Sequence, residues 1–254
     1  MTGSTIPPHH QCLVFASGCY YPSMPDLDAL TQNSLIIAAD GGMDQALRYD
    51  IHPDMVVGDF DSISQQPGAD GKERVVRLPA HKDDSDLLSA LKLGWSQGAR
   101  RFHILGGMGG RLDHSLANIQ ILALLAQEGG SGFLYGDGYV LTALHNGRLD
   151  FPANHVGPRR MLGVFSHADQ SKGVSVRGLK YQLEGVNLPS TSPLGVSNEF
   201  LPGQPSSIEV REGTLLVSYP MEAPQPLVSH PQLIEGGLGL LEPQVSEFLA
   251  RGKN

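Results

Sequence analysis

Asp59 and Asp61 stand one residue apart directly after the apolar run Met55-Val56-Val57-Gly58. Such a run, closed by glycine, reads as a short buried strand, and Gly58 lets the backbone turn tightly at its end. In extended backbone alternate side chains point the same way, so both carboxylates would leave the strand end on one side. Two carboxylates held that close repel unless a cation lies between them, and hard oxygen ligands suit Mg²⁺. One reading is therefore a magnesium clamp at the carboxyl end of a strand. The other is an Asx turn that caps a following helix. This stretch alone leaves both open.

Four further stretches carry groups of the right chemistry. Asp83-Asp84-Ser85-Asp86 falls at a helix N-terminus, where free backbone N–H groups favour anions. Asp83 and Asp84 serve equally well as plain caps. Asp86 falls inside the first turn and can face the Asp59/Asp61 pair. Three carboxylates around Mg²⁺ would make a phosphate-transfer site, with Lys82 supplying positive charge to phosphate. The loop Gly106-Gly107-Met108-Gly109-Gly110 is no P-loop, because no Gly-Lys-Ser/Thr follows. Leu112 stands where a dinucleotide fingerprint needs its third glycine. With Arg111 and Asp113 directly after it, the loop reads as an anion cradle with a fork-shaped cation. His114 reads as a capping or packing residue. In the second half, Gly178-Leu179-Lys180-Tyr181 and Gly195-Val196-Ser197-Asn198-Glu199-Phe200 are compact polar-aromatic turns. As structure they are hairpin loops. As function they present Tyr181 as a stacking surface and Ser197 as a hydrogen-bonding group for a flat heterocycle.

The elements that must position these groups follow from the apolar pattern. Strands are expected at 11–15, 35–39, 55–57, 74–78, 101–105 and 132–135, with helices at 43–49, 85–97 and 112–126. Strand and amphipathic helix in alternation imply an α/β fold, a mostly parallel sheet with helices on both faces. Ligands of such sheets bind beyond the carboxyl ends of the strands. Ser17-Gly18, Asp40-Gly41-Gly42, Asp59/Asp61 and the Gly106 loop all fall there, which favours the catalytic reading over the capping one. From Tyr139 onward only short strand-like runs occur, at 139–144, 148–151, 161–165, 174–176, 207–210 and 215–219. They imply a smaller antiparallel β-sandwich or barrel. A boundary at Asn146-Gly147, read as a hairpin turn, divides the chain into domains 1–145 and 146–220. The tail 221–254 is rich in proline and then glycine, ends in an expected short helix at 244–251, and has no assigned role.

Composition narrows the classes. At 254 residues, 40% hydrophobic and 17% charged, the chain has the profile of a globular protein. Its net charge of −8 argues against a nucleic-acid partner, which would need a basic surface. Nucleotides remain compatible, because Mg²⁺ neutralises phosphates and protein carboxylates alike. The two cysteines, Cys12 and Cys19, are too few for a disulfide scaffold, and no Cys/His cluster has zinc spacing. No signal-peptide pattern and no membrane-length apolar run is present, so the expectation is a cytoplasmic enzyme with no membrane partner.

Taken in order, Asp40-Gly41-Gly42, Gly58-Asp59-Phe60-Asp61-Ser62, Lys82-Asp83-Asp84-Ser85-Asp86, Gly106-Gly107-Met108-Gly109-Gly110-Arg111-Leu112-Asp113-His114 and Ser197-Asn198-Glu199 resemble the thiamine pyrophosphokinase family. The match runs from about residue 13 to residue 219. The resemblance implies an α/β catalytic domain, a β-sandwich domain that binds thiamine, and a homodimer with thiamine near the subunit junction. It implies transfer of a pyrophosphoryl group from ATP to the thiamine hydroxyl, with release of AMP. Carried over by position, Asp59, Asp61 and Asp86 are the Mg²⁺ ligands and, with Arg111 and Asp113, the catalytic set. Asp40, Gly41, Lys82, Gly109 and Arg111 are expected at the nucleotide, and Tyr181, Ser197 and Asn198 at thiamine. Ser85 stands where threonine is common, and Tyr181 where tryptophan also occurs. Two alternatives are a pyrophosphokinase for another heterocyclic alcohol, such as a hydroxymethyl pterin, and a sensing module that binds Mg–ATP without turnover.

Overall fold

The computed structural model describes residues 11–60, 73–79, 82–157 and 159–241. These group into two compact units, one within 1–20, 26–118 and 237–254, the other within 21–25 and 119–236.

The first unit contains β1 (Gln11–Phe15), α1 (Leu27–Thr31), β2 (Ser34–Ala39), α2 (Gly42–Arg48), β3 (Met55–Gly58), β4 (Arg74–Arg77), α3 (Asp86–Ser96) and β5 (Arg101–Leu105). Its strands run in the order β5-β1-β2-β3-β4, every pair parallel. Parallel strands covered on both faces read as continuous apolar runs, and Leu13, Val14, Ile37, Ala38 and Val56 are indeed fully buried. The edge strand β4 is largely exposed, with an arginine at each end. Charge at such an edge discourages pairing with another chain. Helix α3 is capped by Ser85, whose Oγ accepts from the Leu88 N–H at 3.2 Å, rather than by Asp83 or Asp84. Ser85 holds the extended φ/ψ that an N-cap needs. The five-residue α1 has no buried residue and therefore left no apolar stripe to read. Its signal is the Asp26 cap, which accepts from the Ala29 N–H at 3.0 Å.

His103 on β5 is 1% exposed, and burial, helped by Arg101, pushes its pKa down from 6.5 to about 3. The folded chain thus binds fewer protons than the unfolded one between those values. Stability is fully present above the unfolded value and is lost as pH falls below it. Between pH 7.5 and pH 5 this histidine alone should remove about 2 kcal/mol, read as a drop in the urea midpoint. A midpoint unchanged across that range would count against a buried neutral imidazole.

Helix α4 (Leu112–Gln127) carries the chain from the first unit into the second. There follow β6 (Ser131–Tyr135), β7 (Tyr139–Phe151), β8 (Met161–Ser166), β9 (Gln170–Arg177), β10 (Leu183–Pro189), β11 (Gly195–Glu199), β12 (Ser206–Pro220) and β13 (Leu227–Ser229). Among the described residues these strands pair antiparallel, in the order β10-β9-β12-β7-β6. The later part of β12 also pairs with β8, β8 with β11, and β7 with β13. Phe151 sits at the centre of the core, edge-on to Tyr219 at 5.1 Å and to Phe200 at 5.2 Å.

Several expectations change here. The runs 139–144 and 148–151 are one strand of 13 residues, and 207–210 and 215–219 are one strand of 15. Asn146-Gly147 is not a hairpin turn but lies within β7. Asn146 has φ of +42°, and its Oδ1 accepts from the Gly213 N–H at 2.8 Å, where the β7–β12 register shifts. A bulge and a turn both call for a residue that tolerates positive φ, so Asn-Gly marks either one. The strand at 131–135 joins an antiparallel partner, β7, and the tail contributes β13. The expected helix at 244–251 lies outside the described residues. Among the described residues no helix is long and apolar enough to cross a membrane.

Candidate active site

The loops that follow β1, β2 and β5 at their carboxyl ends, together with the start of α3, line a pocket of about 580 Å³ in the first unit. The first and last of these loops are zipped together by backbone. Ala16 N–H donates to Leu105 O at 2.9 Å, Gly18 N–H to Gly106 O at 2.8 Å and Cys19 N–H to Met108 O at 3.1 Å. A Cβ on Gly18 would stand 2.3 Å from Gly106 O, and one on Gly106 2.4 Å from Ala16 O at a φ of +67°. Only glycine fits at either position.

The glycine-rich loop is held from below by α4. Asn118 Nδ2 donates to Gly107 O at 2.7 Å, and Gly109 N–H donates to Ser115 Oγ at 3.2 Å. Ser115 and Asn118, both buried, escaped the sequence reading. The signal available was two polar residues on the inner face of an otherwise apolar helix. Arg111 and Asp113 form a fork. Arg111 Nε donates to Asp113 Oδ1 at 3.1 Å and Nη2 to Oδ2 at 2.6 Å. Both side chains are solvent-exposed. The guanidinium hydrogen bonds hold the Asp113 carboxyl below its ordinary pKa and raise that of Arg111. His114, expected only to cap or pack, lines the pocket.

Asp40, after β2, is buried at 8% exposure and lines the pocket with a φ of +46°, a conformation that aspartate tolerates better than most residues. Its N–H donates to Val57 O at 2.8 Å, and its carbonyl accepts from Met43 N–H at 3.0 Å. Asp86, the first residue of α3, stands with Lys82 on the same pocket. Lys82 Nζ lies 2.8 Å from Asp86 Oδ1. Asp84 also lines the pocket and pairs with Lys92 of α3 at 2.6 Å.

The backbone after β3 differs from the extended course expected: β3 ends at Gly58, and Phe60 adopts a φ of +63°. Phe60 turns inward against Ala38, Met43 and Val56, with Arg77 over its ring at 4.9 Å. Arg77 Nη1 also donates to the Asp59 carbonyl at 3.2 Å. Asp61 lies outside the described residues. Among the described residues no group of three or more metal-ligating side chains forms. The donor chemistry nevertheless fits a hard divalent ion. Asp40 and Asp86 bring carboxylate oxygens to one pocket, and Asp86 Oδ1 is buried with no hydrogen bond, only the Lys82 ammonium as counter-charge.

In the second unit the structure brings Tyr181, Ser197 and Asn198 together. Tyr181 N–H donates to Asn198 Oδ1 at 2.9 Å, and Asn198 Nδ2 donates to Tyr181 O at 2.6 Å. Asn198 is buried, while Tyr181 and Ser197 are exposed. Ser197-Asn198 is not a hairpin loop but part of β11. It sits at an irregularity in the pairing with β8, with Ser197 at a φ of +61°.

Cys19 lines the pocket, whereas Cys12 is fully buried with its thiol pKa pushed up by burial. A maleimide is therefore expected to label Cys19 alone in the folded chain, counted by mass spectrometry. Equal labelling of both cysteines would contradict the burial of Cys12.

Parallel strands that end in glycine-rich turns around a pocket of mixed charge define an α/β protein with a polar pocket beyond its strand ends, the place where such sheets bind their ligands. Comparison with known proteins is more specific. Residues 27–131 match the family model for the thiamin pyrophosphokinase catalytic domain, and residues 149–215 match that for the thiamin pyrophosphokinase vitamin B1 binding domain. A thiamine pyrophosphokinase of Bacillus subtilis is 28% identical over 182 residues, covering 70% of this chain and 84% of its own. Thiamin pyrophosphokinase 1 of Caenorhabditis elegans is 26% identical over 178 residues, covering 66% and 72%. The crystal structure of thiamine pyrophosphokinase from B. subtilis superposes with a TM-score of 0.72 at 25% identity, covering 83% of this chain and 98% of that one. The chain belongs to the thiamine pyrophosphokinase family.

Proposed function

We propose that the chain transfers the pyrophosphoryl group of ATP to the hydroxyl of thiamine, giving thiamine diphosphate and AMP. The observation that carries this reading is the placement of Asp86, Lys82, Asp40 and the Gly106–Arg111 loop on one pocket, within the segment that matches the catalytic-domain family model. The second segment matches a vitamin B1 binding domain, which favours thiamine over a pterin as acceptor and turnover over mere sensing.

In the reaction the thiamine oxygen forms a bond to the β-phosphorus. The bond from that phosphorus to the oxygen shared with the α-phosphate breaks, and the hydroxyl proton passes to solvent. AMP leaves as a stable anion, so the protein's task is alignment and charge compensation. Lys82, Gly41, Gly109 and Arg111 hold the triphosphate, the Arg111 fork matching phosphate oxygens in pairs. Asp113 keeps that fork in plane. Asp59, Asp61 and Asp86, with Asp40 beside them, would hold Mg²⁺, which supplies Lewis-acid stabilisation of phosphoryl charge. Tyr181 stacks on the thiamine ring, Ser197 hydrogen-bonds to it, and Asn198 serves by clamping the Tyr181 backbone.

The same reading makes the first unit the catalytic α/β domain with helices on both faces of its sheet, and the second the thiamine-binding β-sandwich, with the boundary expected at 145/146 moved out of β7. It makes the active form a cytoplasmic homodimer. The test is incubation of the purified chain with ATP, Mg²⁺ and thiamine, then chromatography for thiamine diphosphate and AMP in equal amounts. Hydroxymethyl pterin is offered in competition. ATP binding by calorimetry with no AMP formed would replace the reading with the sensing module.

A further inference from the structure

The Lys92–Asp84 pair has no part in the chemistry described so far, and it is the most enclosed ion pair among the described residues. Lys92 Nζ and Asp84 Oδ2 are 2.6 Å apart, with side chains 9% and 11% exposed. Lys92 lies on the buried face of α3 beside Leu91 and Leu93. Helical side chains lean toward the N-terminus, and this one leans back to the segment that precedes the helix. A buried ion pair adds little stability over a well-packed apolar pair, since desolvation of both charges offsets their attraction. Folding alone is therefore a weak reason for a lysine on this face.

The charge of the pocket supplies a better one. Asp40, Asp84 and Asp86 line it against Lys82 and Arg111. The lining charges among the described residues thus carry one excess negative charge, set against a polyphosphate ligand. Arg111 is itself engaged by Asp113, which deepens that excess, and Lys92 reduces it by neutralising Asp84. We infer that Lys92 is a positioning residue for the phosphate-bearing ligand: by holding and neutralising Asp84 it keeps that carboxylate out of divalent-cation binding and lets the pocket accept a polyphosphate.

This inference rests on the nucleotide reading of the pocket, but its test needs no turnover. The probes are inorganic tripolyphosphate, measured by calorimetry, and Mn²⁺, measured by electron paramagnetic resonance. Asp84→Asn keeps the shape and an oxygen acceptor for Lys92 but removes the negative charge. Tripolyphosphate should bind about tenfold tighter, an effect that fades as salt rises, whereas Mn²⁺ should bind within about twofold of wild type, because Asp84 is not one of its donors. The neutral pair Asp84→Asn/Lys92→Met should return the tripolyphosphate affinity to within about twofold of wild type. Unchanged tripolyphosphate affinity in Asp84→Asn would overturn the inference, as would a Mn²⁺ affinity that falls severalfold with it or a wild-type chain that binds no tripolyphosphate. Should the wild-type chain release no AMP from ATP and thiamine while the Asp84→Asn shifts occur as stated, the kinase reading falls and the role of Lys92 stands.

Discussion

Asp86→Asn is expected to lower kcat/KM by about a thousandfold, the equivalent of about 4 kcal/mol of transition-state stabilisation. The substitution exchanges one carboxylate oxygen for an amide nitrogen at the first position of α3, where Asp86 Oδ1 faces the Lys82 ammonium at 2.8 Å. On the proposed reading a hard anionic donor to a divalent ion is lost, and Lys82 loses its counter-charge. Shape and volume are kept. The helix loses the favourable placement of an acid at its N-terminus, about 0.5 kcal/mol, and the Lys82 side chain, only 5% exposed, loses its ion-pair partner at a further cost of about 1–3 kcal/mol. The thermal midpoint should therefore fall by about 5–10 °C with the chain still folded at assay temperature while turnover collapses, and raising Mg²⁺ should recover part of the loss. Turnover within threefold of wild type at saturating Mg²⁺ would remove Asp86 from the metal set. Asp61→Asn, at the position expected from the Gly58-Asp59-Phe60-Asp61 pattern, should behave alike.

The second large effect belongs to Arg111. Arg111→Met should cost on the order of a hundredfold to a thousandfold in kcat, the usual loss when a donor aimed at developing charge is removed. The fold should be untouched, because the side chain is 73% exposed. Arg111→Lys should recover little, since an ammonium cannot reproduce the paired donors of a guanidinium. Asp113→Asn separates two roles. If Asp113 only holds Arg111 through their two hydrogen bonds, the loss should be about tenfold. A loss as deep as that of Arg111→Met would mean that Asp113 acts on the substrate hydroxyl itself.

Where residues interact along the chain, the sequence was readable. Continuous, mainly apolar runs marked β1, β2, β3 and β5 because strands buried on both faces carry few polar side chains. A 3.6-residue stripe marked α3, and α4 was placed between the glycine-rich loop and Gly129-Gly130. Glycine-rich turns after these strands located the pocket, since parallel strands place their carboxyl ends on one edge. Where a residue's role depends on a partner distant in sequence, the reading failed or stayed open. Asn146-Gly147 carries one local preference, positive φ, and Gly213, 67 residues on, makes it a bulge instead of a turn. Phe60 was passed over as a spacer between two aspartates, yet its burial against Ala38 and Met43 bends the backbone that was to align them.

The sequence by itself determined which chemistry is available: carboxylates, one forked cation, and glycines where backbone must approach backbone. It did so because these are properties of residue types and of spacings within a few positions. Only the tertiary structure decided which charges are spent on one another. Arg111 is engaged by Asp113, Asp86 faces Lys82, and Asp84 is cancelled by Lys92 from inside α3. Electrostatic pairing depends on distance and burial, and neither quantity exists until the chain has folded.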